Sequence, residues 1–144
     1  MVVHQPALKD LLRDAFEDRP LVEINGRRFV VNPLTEQVPA TPPEMLLDAA
    51  WRLAAAANGS LTPSCKIVGE EDKGGVLVAA VSIVTGRPFG LARWCPSGLP
   101  GQISVDFESE YADGEIYLNG VDAGDEVVIV DDLISTGGTM IALI

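Results

Sequence analysis

Two adjacent carboxylates and a run of hydroxyls and glycines stand near the end of the 144-residue sequence. The apolar residues 127–130 indicate a short buried strand, which Asp131 and Asp132 follow directly. Residues 140–144 resume an apolar pattern that fits the first turn of a helix. The run between them consists of Ser135, Thr136, Gly137, Gly138 and Thr139. A strand, a glycine-rich turn and a helix start together predict a phosphate-binding loop, with simple helix capping as the alternative.

The acidic pair narrows the choice of ligand. A sheet gains nothing from two like charges where a strand ends, and so a structural role explains Asp131 and Asp132 poorly. A sugar with two neighbouring hydroxyls, together with a bound cation, would use both carboxylates. The pair therefore favours a sugar phosphate over a bare phosphate.

Two further strands lead into segments with charge or glycine. Residues 65–69 predict a strand, and residues 70–75 form a charged, glycine-containing turn before an apolar helix at 76–84. Residues 89–93 predict another strand, which ends at Arg93. Alternating strands and helices indicate a parallel sheet with right-handed crossovers, whose ligands bind at the carboxyl ends of the strands. We therefore expect the 70–75 turn, Arg93 and the acidic pair at one edge.

The amino-terminal part has its own signals. Residues 7–16 have helical spacing of apolar residues, and residues 21–31 flank Asn25-Gly26 as in a β-hairpin, either a plain edge hairpin or one that covers a ligand. Residues 32–39 are too polar and too rich in proline for a regular element.

A long helix is predicted to begin after Thr41. Thr41 is predicted as the N-cap, with a proline at the first helical position and Glu44 completing a capping box. The helix should end near Asn58-Gly59. We interpret Trp51 as a core residue, in preference to a base-stacking one. Residues 94–115 are rich in Gly, Pro, Ser and acids and predict a functional loop, with 116–118 as its returning strand.

Composition sets limits on function. The sequence is 47% hydrophobic and 22% charged with a net charge of -11, which fits one soluble domain and argues against a basic nucleic-acid surface. Neither a membrane span nor a signal peptide is indicated, and we expect a cytoplasmic protein. Cys65 and Cys95 do not form a zinc or disulfide pattern, and His4 is the sole histidine. Catalysis should therefore depend on carboxylates, hydroxyls, backbone amides and a metal.

Residues 127–139 resemble the phosphoribosyl pyrophosphate (PRPP) binding motif of type I phosphoribosyltransferases. Residues 71–74 resemble the pyrophosphate loop of the adenine enzymes, and residues 99–101 with Glu110-Tyr111 resemble their flexible loop. Residues 29–35 and 114–120 are more similar to the archaeal-type hypoxanthine/guanine enzymes. The resemblance indicates a purine phosphoribosyltransferase-like protein without choosing the base.

This resemblance implies an α/β fold, with a parallel sheet flanked by helices and a flexible loop. It implies an amino-terminal helix and hairpin, or hood, over residues 1–40 and a phosphoribosyltransferase core over residues 41–144. The family fold continues beyond Ile144, so the resemblance implies that a carboxyl-terminal part of the core is missing here. It also implies a homodimer.

The implied reaction transfers the 5-phosphoribosyl group of PRPP to a purine base, releasing pyrophosphate. The resemblance implies Mg²⁺ as the cofactor, bound through PRPP with Asp131 and Asp132 nearby and no direct protein ligand. The implied catalytic residues are Glu110, Asp131 and Asp132. The residues implied for the 5-phosphate are Ser135, Thr136, Gly137, Gly138 and Thr139, and those implied for pyrophosphate are Glu71, Asp72, Lys73, Gly74 and Arg93.

Some residues depart from the family pattern. After Arg93 the purine enzymes usually continue with more basic residues, whereas this chain has Trp94-Cys95-Pro96-Ser97, which leaves fewer cations for pyrophosphate. Two alternatives follow from this difference: a PRPP- or nucleotide-binding regulator without turnover, or an enzyme acting on an unusual heterocycle. Glu110 also has a plain alternative as one solvated acid among several.

Overall fold

The computed structural model describes residues 10–24, 26–108, 113–134 and 136–144. Four helices and seven strands occur in these ranges. In chain order they are α1 (Leu11–Phe16), β1 (Leu21–Ile24), β2 (Arg27–Val30), α2 (Pro43–Ala56), β3 (Lys66–Glu70), α3 (Lys73–Thr85), β4 (Phe89–Arg93), β5 (Ile103–Glu108), β6 (Asp113–Leu118), β7 (Val127–Ile129) and α4 (Gly138–Leu143).

The main sheet has five strands in the order β5-β6-β4-β3-β7. Strand β3 pairs in parallel with β4 on one side and with β7 on the other. The predicted α/β fold with a parallel sheet is thus confirmed for this central part. Strand β6 extends the sheet antiparallel to β4, and β5 in turn pairs antiparallel with β6. Strand β6 begins at Asp113, so soon after β5 ends at Glu108 that there is no room for the crossover that parallel pairing needs, and the two strands therefore pair antiparallel.

Helices cover both faces of the sheet. On one face, Ile67 of β3 packs with Val78 and Val81 of α3, and this main cluster also includes Ala49 and Ala50 of α2. On the other face, Ala92 and Ile116 form a smaller cluster that Ala142 and Leu143 of α4 join. Side chains alternate along a strand, so the two faces of β4 are occupied by different helices.

The approach of β7 to β3 depends on Gly69. A Cβ at this position would lie 2.3 Å from the Val130 carbonyl oxygen and 2.5 Å from Val78 Cγ2. The Val130 amide donates to the Val68 carbonyl at 2.8 Å, which extends the ladder past the end of β7. The position therefore requires a residue without a side chain.

The amino-terminal predictions are largely confirmed. Strands β1 and β2 form an antiparallel hairpin of their own, and residues 32–39 are irregular. Helix α1 begins at Leu11, and residues 7–9 of the predicted helix lie outside the described ranges, as does Asn25. None of the helices in the part of the chain that is described is long and apolar enough to cross a membrane.

Two predictions about α2 are wrong. Trp51 is 59% exposed because the inward face of the helix is made of Met45, Ala49, Ala50 and Ala54, and Trp51 lies beside that face. The helix begins at Pro43 with Pro42 as N-cap, so the proline at the first position is confirmed but Thr41 is not the cap. The Thr41 hydroxyl donates instead to the Pro33 carbonyl, at 2.5 Å.

Two element boundaries also differ from the prediction. Helix α3 begins at Lys73, three residues before the predicted start, and it includes both Gly74 and Gly75. The 94–115 connection, predicted as a loop, contains the whole of β5 and the first residues of β6. Strand β5 alternates apolar Ile103, Val105 and Phe107 with polar residues, and this period of two was a usable strand signal that the prediction missed.

Gly69→Ala should lower the free energy of unfolding by about 2–3 kcal/mol, because the new methyl overlaps the Val130 carbonyl and Val78. Urea unfolding followed by circular dichroism measures this effect. Gly59→Ala is the matched control, since a Cβ at Gly59 would meet nothing within 4 Å, and it should change stability by less than about 0.5 kcal/mol. Equal effects of both substitutions would contradict the proposed close approach.

Candidate active site

The carboxyl ends of β3, β4 and β7 lie at one edge of the sheet because these three strands are parallel. Glu70 is paired in register with Ala92, and Val68 with Ile129. The Glu71 amide donates to the Ala92 carbonyl at 2.9 Å, so the pairing continues to the edge itself. The turn after β3, the end of β4 and the acidic pair after β7 therefore emerge together, as predicted.

Glu70 closes β3 and anchors the start of α3. Its side chain is buried, at 8% exposure, and its two carboxylate oxygens accept hydrogen bonds from the Asp72 and Gly74 amides, each at 3.0 Å. The formal N-cap, Asp72, makes no side-chain capping bond. Glu70 thus satisfies amides that a helix start otherwise leaves without partners.

Gly74 lets Asp131 approach the first turn of α3. A Cβ at this position would lie 2.7 Å from Asp131 Oδ1 and 3.5 Å from Glu70 Oε1. Asp131 Oδ1 also accepts a hydrogen bond from the Asp132 amide at 2.9 Å. Asp131 is therefore held between α3 and its own backbone, close to a second carboxylate.

Burial and the proximity of like charge raise the pKa of both aspartates of the pair. Burial raises the pKa of Asp131, and the Glu70 charge adds to the rise against the opposing hydrogen bond from Asp132. Burial and the Asp131 carboxylate raise the pKa of Asp132 to about 6, against the opposing charge of Lys73. The Asp132 carboxyl, with its pKa of about 6, is thus half protonated near pH 6, and a cation or hydroxyl donor at this point would favour its ionised form.

Lys73 connects this edge to the amino-terminal segment. Its ammonium donates to Glu36 Oε1 at 2.7 Å and lies 6.0 Å from the centre of the Phe29 ring. Burial by itself would lower the pKa of Lys73, but Glu36, followed by Asp132 and Asp72, more than offsets this and raises it. Lys73 is therefore a protonated cation surrounded by carboxylates.

The remaining residues predicted for pyrophosphate have different environments. Glu71 Oε1 accepts a hydrogen bond from the Trp94 amide at 2.9 Å, so this carboxylate fixes the chain after β4. The Arg93 side chain is exposed, while its backbone pairs with Tyr117 of β6. Asp72 is exposed at the start of α3. Of the predicted group, Gly74 lies against Asp131, and the charge of Lys73 acts on Asp132.

The glycine-rich loop leads from the acidic pair into α4. Gly137 has a φ of +86°, a left-handed conformation that favours glycine, and Gly138 begins the helix. Thr136 is exposed and Thr139 is partly buried in the first turn. Ser135 and Glu110, both predicted site residues, lie outside the described residues.

Solved structures share this architecture. The adenine phosphoribosyltransferase of Thermoanaerobacter pseudethanolicus is similar with a TM-score of 0.73 at 25% identity, over 92% of this chain and 76% of that one. The APRTase of Giardia lamblia, solved with 9-deazaadenine, has a TM-score of 0.74 at 24% identity, over 94% and 75% of the two chains. No protein-family model matches the sequence.

Sequence relatives decide the family. The hypoxanthine/guanine phosphoribosyltransferase of Methanopyrus kandleri is 41% identical over 134 residues, which cover 93% of this chain and 71% of the relative. The enzyme of the same name from Methanocaldococcus jannaschii is 37% identical over 134 residues, covering 93% and 72%. The chain belongs to the type I purine phosphoribosyltransferases. The resemblance stated from the PRPP motif is thereby confirmed.

Three supporting residues of this phosphoribosyltransferase were missed in the sequence. Glu70 ends an apolar strand just before a turn whose amides need an acceptor, and that position was a usable signal. Asn32 organises the irregular 32–39 segment, and the Asn-Pro pair at 32–33 was a weaker signal of a side-chain-bonded turn. Glu36 left no signal, because its partner Lys73 is 37 positions away.

The raised pKa of Asp132 predicts a pH-dependent stability. The pKa of an aspartate in an unfolded chain is about 3.9, whereas burial and the Asp131 carboxylate raise the pKa of Asp132 to about 6 in the folded phosphoribosyltransferase. The stability associated with its protonated form is therefore fully present below the unfolded value and is lost as pH rises through about 6.

Asp132→Asn should therefore increase the free energy of unfolding by about 1 kcal/mol at pH 8, after allowance for solvent screening, and by little at pH 4. Urea denaturation at both pH values measures the difference. Asp106→Asn, which removes an exposed carboxylate on β5, is the control and should have little effect at either pH. A loss of stability in the Asp132 variant at pH 8 would contradict the assignment.

Proposed function

We propose that this phosphoribosyltransferase transfers the 5-phosphoribosyl group of PRPP to a purine base. In the reaction the bond between C1 of the ribose and the diphosphate breaks, and a purine ring nitrogen forms the new bond to C1 while losing its proton. The products are a nucleoside monophosphate and pyrophosphate. The main support for this proposal is that Asp131-Asp132, Lys73 and the glycine-rich loop lie at one edge of the sheet, in a chain that belongs to this family.

We propose hypoxanthine or guanine as the acceptor, in preference to adenine. The similar enzymes from Methanopyrus kandleri and Methanocaldococcus jannaschii carry the name hypoxanthine/guanine phosphoribosyltransferase at 41% and 37% identity. The adenine enzyme of Thermoanaerobacter pseudethanolicus is a more distant relative by sequence, at 25% identity. Sequence likeness over most of the chain therefore supports a 6-oxopurine.

Each part of the edge has a proposed task. Asp131 and Asp132 accept hydrogen bonds from the ribose hydroxyls and face the positive charge that builds on the ribose as the C1 bond breaks. The loop of Ser135, Thr136, Gly137, Gly138 and Thr139 binds the 5-phosphate with amides and hydroxyls. Lys73 and Arg93 bind the pyrophosphate, helped by the turn of Glu71, Asp72 and Gly74. Glu110 is proposed to act as an acid/base or charge-stabilising residue.

The carboxylates of Asp131 and Asp132 fit a Mg²⁺ ion that binds together with PRPP. The described ranges contain no group of three or more His, Cys, Asp or Glu side chains that could hold a metal. Mg²⁺ commonly binds through one or two carboxylates plus substrate phosphates and water, and Asp131 and Asp132 would be the carboxylates near an ion bound through PRPP. When bound, Mg²⁺ neutralises charge on the leaving diphosphate.

We also propose a homodimer in the cytoplasm, with residues 1–40 as a hood over the core of residues 41–144. The dimer and the hood rest on family likeness, and the close contact of Glu36 with Lys73 supports the hood. Sedimentation analysis tests the dimer: a single species at the mass of one chain across micromolar concentrations would contradict it.

Activity requires a direct assay. Purified protein is incubated with Mg²⁺, PRPP and hypoxanthine, guanine or adenine separately, and pyrophosphate and nucleotide are measured. We expect turnover with at least one 6-oxopurine and a lower kcat/KM with adenine. PRPP binding without turnover on any base would favour a regulator, and turnover only on another heterocycle would favour the specialised enzyme.

Variants at the edge test the roles. Asp131→Asn and Asp132→Asn should each lower kcat/KM by about 100-fold, because each removes a charge that faces the developing ribose cation. Lys73→Met should chiefly raise the KM for PRPP, by about tenfold. Arg13→Gln removes an exposed ion pair on α1 and serves as the control, with unchanged kinetics expected. Full activity in both aspartate variants would refute their assigned tasks.

A further inference from the structure

The ion pair between Lys73 and Glu36 places a carboxylate where the proposed function needs a phosphate. The Lys73 ammonium donates to Glu36 Oε1 at 2.7 Å, and the two side chains are only 37% and 26% exposed. Lys73 is also, with Arg93, one of the two cations proposed for the leaving diphosphate. An anionic ligand that approaches this ammonium meets a carboxylate already bound to it.

Glu36 is held in place by a rigid segment. Asn32 is 2% exposed, and its side chain donates to the Val30 carbonyl at 3.0 Å and the Thr35 hydroxyl at 2.8 Å. The same side chain accepts from the Leu34 and Thr35 amides at 2.9 and 3.0 Å. The Glu36 amide donates to the Asn32 carbonyl at 3.2 Å. The backbone that carries Glu36 is thus fixed, and only its side chain is free to change partner.

Lys73 is fixed to the same degree from the opposite side. It is the first residue of α3, whose start Glu70 anchors through the Asp72 and Gly74 amides. Two long side chains on such supports lose little backbone freedom when they pair. The pair is partly buried, and the cost of removing both charges from water offsets much of their attraction, so the free energy of unfolding gives little reason for a glutamate here.

The charges around Lys73 explain why its pairing matters. Lys73 and Arg93 are the cations at this edge among the described residues, against the carboxylates of Glu36, Glu70, Glu71, Asp72, Asp131 and Asp132. Any free energy that Lys73 gains from Glu36 is lost when Lys73 turns to a ligand. The loss of this free energy makes the binding free energy of the ligand less favourable.

We propose that Glu36 is an internal counterion of Lys73, which the diphosphate of the substrate displaces when it binds. This inference rests on the proposed function and adds a positioning residue to it. Because the Asn32 hydrogen bonds hold the backbone, the exchange would take place by rotation of the Glu36 side chain. Glu36 thereby sets the affinity for diphosphate through Lys73, without contact with the reacting atoms.

Isothermal calorimetry with Mg²⁺-pyrophosphate tests the inference, since removal of the competitor should tighten binding. We expect Glu36→Gln to lower the dissociation constant by about fivefold. Glu36→Asp keeps the charge but shortens the side chain, so it should also tighten binding. Glu23→Gln on β1 removes an equal charge from the hood hairpin and should leave the affinity unchanged. A purely structural Glu36 would give weaker binding in both variants.

A double-mutant cycle establishes that the effect passes through Lys73. In a Lys73→Met background, Glu36→Gln should no longer change the affinity. Unchanged or weaker binding in the Glu36 variants would overturn the inference, as would an equal gain with and without Lys73. If the wild-type protein binds neither Mg²⁺-pyrophosphate nor PRPP, the proposed function fails as well, which separates the two failures.

Discussion

The carboxylate of Glu70 is the interaction on which the rest of the site depends. It ends β3 inside the protein and accepts hydrogen bonds from two amides at the start of α3. A buried carboxylate is costly unless it is well hydrogen-bonded, and charge-assisted bonds to amides offset that cost. Because these bonds fix the turn between β3 and α3, they also fix the position of Lys73 and the approach of Asp131 to Gly74. Glu70 therefore stabilises both the turn between β3 and α3 and the position of the site residues.

The cluster of carboxylates at this edge lowers the stability of the free protein but serves the proposed function. Glu70, Asp131 and Asp132 lie close enough that burial and mutual repulsion raise the pKa of both aspartates. A folded protein without ligand gains nothing from that repulsion. Positive charge at this point, whether on Lys73 or on a ribose that is losing its leaving group, relieves it. The repulsion between these carboxylates is thus greatest in the free protein and decreases as positive charge builds on the bound ribose.

The sequence predicted the elements whose signals are local. Apolar, β-branched runs identified β3 and β7, and β4 was predicted at Phe89–Arg93, the bounds that the structure has. Helix α3 ends at Thr85, one residue after the predicted end, with Gly86 in the left-handed conformation as its C-cap. The charged residues Glu44, Asp48 and Arg52 mark the outward face of α2, but the prediction placed the large Trp51 inside because it did not foresee that the helix packs through small alanines. The prediction also missed Glu36, whose meaning depends on Lys73, a residue remote in the chain.

Because this protein is acidic, it must bind a polyanion through the few charged and polar groups next to the ligand. With a net charge of -11 the long-range field opposes PRPP, but at physiological ionic strength charges more than about 8 Å away are largely screened. The balance is therefore set by the few groups at the sheet edge, where carboxylates outnumber Lys73 and Arg93. Such an edge disfavours bare diphosphate and tolerates diphosphate whose charge Mg²⁺ has already reduced. Under the proposed function, the acidity that opposes the free anion is what selects its metal complex.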